Sequence, residues 1–60
     1  MAKYKLSELT ATAYTDAIKA ARREIAEAFH YKIQKDNYRL IEEVSDDLFL
    51  RFDANGNIVN

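Results

Sequence analysis

TATAYTDAIKAARREIAEAF, residues 10 to 29, decides how the rest of the chain must be arranged. Tyr14, Ala17, Ile18, Ala21, Ile25, Ala28 and Phe29 recur at three- and four-residue spacing, which places them on one face of a helix turning about 100° per residue. Lys19, Arg23, Glu27 and His30 fall on the opposite face. Thr10 is suited to cap the start with its side chain, and Asp16 lies in the N-terminal half, where the helix dipole favours a negative charge. Ile25, within the apolar stripe, is expected to be fully buried.

Upstream, Ser7-Glu8-Leu9-Thr10 reads as one turn leading into the helix, with Leu6 and Leu9 folded back on its stripe. Downstream the stripe degrades, although the pattern lets the helix run past Phe29. Gln34-Lys35-Asp36-Asn37 is the best place for a break, because Asp36 or Asn37 can cap a second helix over residues 38 to 44. Tyr38 (or Asn37), Leu40, Ile41 and Val44 would supply its buried side. An uninterrupted helix over residues 10 to 44 is the alternative, since neither Gly nor Pro forbids it. Ser45-Asp46-Asp47 ends the helical pattern.

Leu48-Phe49-Leu50-Arg51-Phe52 is rich in strand formers, and Asn57-Ile58-Val59 is a second short strand. Asp53-Ala54-Asn55-Gly56 between them is a hairpin turn. A type I turn with a left-handed Gly56 sets Phe52 opposite Ile58, the preferred register; a two-residue Asn55-Gly56 turn would set it opposite Val59. Alternation sends Leu48, Leu50 and Phe52 to one face. Phe49 goes to the other, with Arg51 and one of Ile58 or Val59. A two-stranded ribbon is not stable alone and must pack on the helices. The fold class is therefore α+β: a long N-terminal helix, a short second helix and a C-terminal two-stranded β-hairpin, in one small domain over residues 1 to 60.

Sixty residues without cysteine cannot use disulfides or thiolate metal sites. Such a chain buries only roughly 60% of its unfolded surface, so efficient packing or self-association must stabilise it. Ala13, Ala17, Ala20, Ala21 and Ala28 make one side of the long helix smooth, suited either to close internal packing or to a homodimer. No apolar run approaches the roughly 20 residues of a membrane span. Met1-Ala2-Lys3 reads as an intact start, and with no secretion pattern a cytoplasmic setting is expected.

No residue pattern marks an enzyme, a cofactor site or a metal centre. His30 is the single histidine and lacks a nearby nucleophile, so it reads as solvated or paired with Glu27. Asp53-Ala54-Asn55-Gly56-Asn57 places its Gly too early for a calcium loop, and no bidentate Glu follows. Net charge is −1 but unevenly placed, with +3 over residues 1 to 35 and −4 over residues 36 to 60. Glu42, Glu43, Asp46 and Asp47 read as the solvated side of a helix and its exit, or as an acidic patch for a basic partner surface. Lys19, Arg22 and Arg23, then Lys32, Lys35 and Arg39 interleaved with Tyr31 and Tyr38, could hold phosphates and stack bases. On an ideal helix, however, the two clusters project to different sides. The simpler reading is a face ion-paired with Asp16, Glu24 and Glu27.

Tyr4-Lys5-Leu6-Ser7-Glu8-Leu9-Thr10, followed by Ala13 and Ala17, resembles the opening of small bacteriophage-encoded proteins, some labelled antitoxin-like. Leu40-Ile41-Glu42-Glu43, Leu48-Phe49 and Asp53-Ala54-Asn55-Gly56 resemble the helix-to-hairpin ending of the same group. Leu6 stands where the group has Phe, and residues 18 to 37 match nothing in it. The resemblance implies a non-enzymatic regulator or inhibitor directed at a host macromolecule, acting in the host cytoplasm. It transfers no catalytic residue. A protein partner is expected, through Phe49, Arg51, Val59, Glu42, Glu43, Asp46 and Asp47. A small nucleic-acid-binding regulator using the basic half, and a homo-oligomeric structural component, are the alternative readings.

Overall fold

The first long helix sets the dimensions of the molecule. In a computed structural model, which describes residues 2–59, α1 spans Ala11–Phe29, and the length of its 19 residues, about 28 Å at 1.5 Å per residue, is comparable with the longest extent of the molecule, 29 Å. A 3-10 turn, Leu6–Glu8, precedes it; α2 (Tyr38–Asp47), β1 (Arg51–Phe52) and β2 (Ile58–Val59) follow, giving a small α+β fold.

The stripe of α1 buries Ala17, Ile18, Ala21 and Ile25, as its periodicity requires. Ala28 and Phe29 do not follow: both are exposed, Phe29 at 54%. The chain reverses at His30, which takes the left-handed conformation (φ 56°, ψ 31°), so the last turn of α1 overhangs the core. The expected extension of the helix past Phe29 stops there. Thr10 also departs from expectation, because its side chain caps nothing. Thr10 keeps the extended backbone of an N-cap, but Ala11 follows at φ 52°, and only the Thr10 carbonyl is used, accepting from the Tyr14 N–H at 3.2 Å.

The connection from His30 to Asn37 is not helical. It carries Ile33 into the core at 3% exposure, a burial that helical spacing did not suggest. Gln34–Asn37 then forms a turn closed by Asn37 N–H to Gln34 O at 3.0 Å. Asn37 Oδ1 accepts from the Leu40 N–H at 3.3 Å and caps α2. α2 continues past Val44 to Asp47, burying Ile41 and Ser45. Its exit replaces most of the expected first strand. Phe49 N–H donates to Asp46 O at 3.0 Å and Leu50 N–H to Ser45 O at 2.9 Å. These two bonds, with Phe49 at φ 59°, are a Schellman closure. Strand geometry begins only at Arg51.

Phe52 pairs with Ile58 and Arg51 with Val59, the register set by a type I turn ending in a left-handed Gly56. Asp53 N–H bonds Asn57 O at 2.8 Å, and Gly56 N–H bonds Asp53 O at 3.1 Å. On its other edge Phe52 exchanges both backbone bonds with Tyr4, at 2.8 and 2.9 Å. The N-terminal segment thus supplies a third, single-residue rung to the ribbon. Phe52, Ile25 and Ile41 are fully buried in one cluster with Leu6, Leu9, Ile18 and Ile33. Leu6 and Leu9 fold back as the sequence requires. Tyr4, Leu40, Val44, Leu48, Leu50 and Ile58 close the cluster as half-buried neighbours.

Gly56 explains the smoothness of α1. A Cβ at this position would lie 2.3 Å from the Ala13 carbonyl oxygen and 3.2 Å from the Ala17 backbone nitrogen. The turn therefore rests directly on the helix backbone, and Ala13 and Ala17 are small because the turn must reach it. Of the two uses open to the alanine stripe, close internal packing is realised here.

Three measurements test this packing. Gly56→Ala should lower stability by more than about 2 kcal/mol in urea denaturation, because the left-handed strain of about 1–2 kcal/mol adds to a backbone collision. Ile25→Ala should cost about 2–5 kcal/mol by the same measurement, as core truncations do. The Asp53 carboxylate accepts the N–H groups of Asn57 and Asn55, both at 2.9 Å, and these bonds, Asn57 first, hold its pKa below the usual range. A depressed folded pKa gives stability that is present above the unfolded value of about 3.9 and is lost as pH falls through the folded one. Asp53→Ala should accordingly be less stable than the parent at neutral pH, and the gap should close as the pH falls below about 4.

Candidate functional site

Phe49 is the most exposed large apolar side chain described, at 79%. Its exposure was expected from strand alternation, but its cause is different. It occupies the position just past the α2 C-cap, Leu48, where left-handed backbone is needed to close the helix and where glycine is the usual residue. A bulky residue with positive φ is strained by the contact of its Cβ with the backbone. Here the strain secures no burial, since the ring stands in solvent. Strain of this kind gathers at functional sites.

The other candidate residues divide. Arg51 and Val59 are directly paired across the ladder, and both are half-buried. Arg51 is not a free contact group: its Nη1 donates to the Leu50 carbonyl at 2.8 Å and lies 3.5 Å from Asp46. Asp46 also meets Lys5 at 4.0 Å, so it clamps the start of the chain and β1 to the exit of α2. Glu42 is likewise engaged, because it accepts the hydroxyl of Tyr14 on α1. Burial first, and that hydrogen bond second, push the Tyr14 pKa up to about 12. Glu43 makes only a loose 4.0 Å pair with Arg39, both side chains largely exposed. Asp47 is exposed. Of the four acids, Glu43 and Asp47 therefore stay exposed on the outside of α2, Asp47 two residues before Phe49.

The cations are arranged unlike the expectation from an ideal helix. Because the connection after His30 folds back along α1, Lys32 and Lys35 line the same open groove as Lys19, Arg22 and Arg23. The groove has a volume of about 800 Å³. The expected pairing with Asp16, Glu24 and Glu27 does not form. Among the described residues the ion pairs are Lys5–Asp46, Arg39–Glu43 and Arg51–Asp46, none of which uses a groove cation. Arg22 is anchored instead by Nε donating to the Ile33 carbonyl at 2.6 Å. The signal for this convergence was the end of α1 at His30, which no Gly or Pro announces.

His30 is exposed and serves as the left-handed C-cap of α1, with no ion pair to Glu27 among the described residues. Among the same residues no three of His, Asp and Glu gather into a group that could hold a metal, and no helix is long and apolar enough to cross a membrane. No protein-family model, curated protein or solved structure matches the chain.

Proposed function

We propose that this chain is a non-enzymatic binding protein that acts by occupying a surface of a partner protein, with Phe49 as the anchor. The observation that carries the reading is the conflict at this residue: the backbone favours glycine, the ring is 79% exposed, and nothing in the fold benefits from it. Aromatic side chains, Phe among them, are enriched at the cores of protein interfaces, where they enter a recess on the partner. Its position just past the Schellman closure fixes the Cβ direction, so only the side-chain torsions remain to be ordered on binding. Glu43 and Asp47 favour a recess rimmed by cations. The sequence resemblance to phage-encoded proteins supports a host-directed inhibitor or regulator working in the cytoplasm, with a second copy of the chain as the other candidate partner.

Phe49→Gly tests the reading because stability and binding should move in opposite directions. The left-handed penalty of about 1–2 kcal/mol outweighs the extra chain entropy of glycine, about 0.5–1 kcal/mol. The variant should melt a few degrees higher. It should also lose capture of its partner from a bacterial lysate, or lose self-association in light scattering if the partner is a second copy. Unchanged capture with unchanged association would remove Phe49 from the interface. A variant melting well below the parent would make the ring part of the core.

A further inference from the structure

We infer that the groove between α1 and the 30–37 connection is a second binding site, built for single-stranded nucleic acid. Five cations, Lys19, Arg22, Arg23, Lys32 and Lys35, line it against two carboxylates, Glu27 and Asp36. This excess stands on a chain whose net charge is −1. Among the described residues none of the five is neutralised by an ion pair. A concentration of like charge destabilises the compact state unless a counter-charge relieves it, so the complementary occupant is a polyanion.

The remaining lining chooses among polyanions. Ile18, Ala26 and Ile33 supply the apolar part of the lining, and Tyr14 and Tyr38 line the groove as well. The two rings meet edge to face, with centroids 6.3 Å apart and planes at 81°, and Tyr38 is half exposed. Tyr14 is held by its hydroxyl on Glu42, which braces the pair. An exposed aromatic ring beside a cationic track is the arrangement on which unpaired bases stack while their phosphates lie on Lys and Arg. An acidic peptide would use the cations but would have no general use for the rings. A duplex would use the phosphate contacts, but its bases are already stacked on one another and would make no use of the rings. Arg22 contributes in a further way. Its Nε is fixed on Ile33 O at 2.6 Å, so the terminal nitrogens of the guanidinium are pre-positioned, and a planar fork of donors suits a phosphate.

Fluorescence anisotropy with a short labelled oligothymidylate tests the inference on the intact chain. Binding should weaken with salt, with a log–log slope of about −0.7 for each phosphate neutralised. Arg23→Glu and Lys35→Glu, both at exposed positions, should each lower affinity about ten-fold or more while leaving the melting temperature near that of the parent. Tyr38→Ala should lower it about five-fold or more without changing the salt slope, the mark of a stacking contact. Phe49→Gly should leave oligonucleotide binding unchanged, which keeps this site separate from the protein contact proposed above. Equal affinity for a duplex of the same length, equal competition by polyglutamate, or binding indifferent to the charge reversals would each overturn the assignment, as would no binding at low salt.

Discussion

The backbone exchange between Phe52 and Tyr4 ties the two ends of the chain together over the core. Phe52 uses its N–H and C=O on Tyr4, so its pairing with Ile58 on the other side is of the non-hydrogen-bonded kind, in which side chains approach more closely. One residue thereby joins the N-terminal segment, the hairpin and the core, and its own ring is fully buried. A two-residue strand paired on one side would be marginal. Paired on both sides, with its ring in the core, it closes a chain that has no disulfide available to do so. The Asp46 clamp to Lys5 and Arg51 reinforces the same junction from outside, as a half-exposed network of modest strength.

Left-handed backbone is needed at four described places in this fold, and the chain contains one glycine. The glycine stands at residue 56, where a Cβ would strike the Ala13 carbonyl and no other side chain could be tolerated. Ala11, His30 and Phe49 occupy the other three. At those positions the cost is conformational strain without a collision, which a side chain can bear if the surroundings determine the turn. The distribution separates two requirements that are often merged. Gly56 is demanded by packing, whereas at Phe49 the backbone alone would prefer glycine and the exposed ring has no structural use.

Local chemistry explains what was legible in the sequence. Residues 10 to 29 declare a helix by period, and Asp53-Ala54-Asn55-Gly56 declares the turn and favours the observed one of its two registers, because each signal lies within a few residues of the structure it specifies. The α2 cap at Asn37 was readable for the same reason. What escaped was set by contacts distant in sequence. Ile33 is buried because its connection folds back, and Tyr14 meets Glu42 across 28 residues. Strand alternation predicts an exposed Phe49, but the Schellman closure exposes it: without a glycine after α2 that closure leaves no mark in the sequence, and LFLRF has the composition of a strand. Of the seven contact candidates, the exposed phenylalanine could be read from the sequence. The engagement of Glu42, Asp46 and Arg51 could not, since their partners come from other elements.

The charge asymmetry of the sequence becomes informative only after folding. The C-terminal half carries the excess of acids, yet two of its α2 carboxylates, Glu42 and Asp46, are engaged within the chain by Tyr14, Lys5 and Arg51. The N-terminal half carries the excess of cations, and five of them converge on one groove without a carboxylate partner among the described residues. Folding therefore does not leave two equal and opposite faces. It engages part of the negative charge internally and concentrates positive charge outside, so a chain with net charge −1 presents a locally cationic surface. Electrostatic attraction within a Debye length of about 8–10 Å follows this local field rather than the net charge. The isoelectric point of about 5.7 is consequently a poor guide to what this protein can hold.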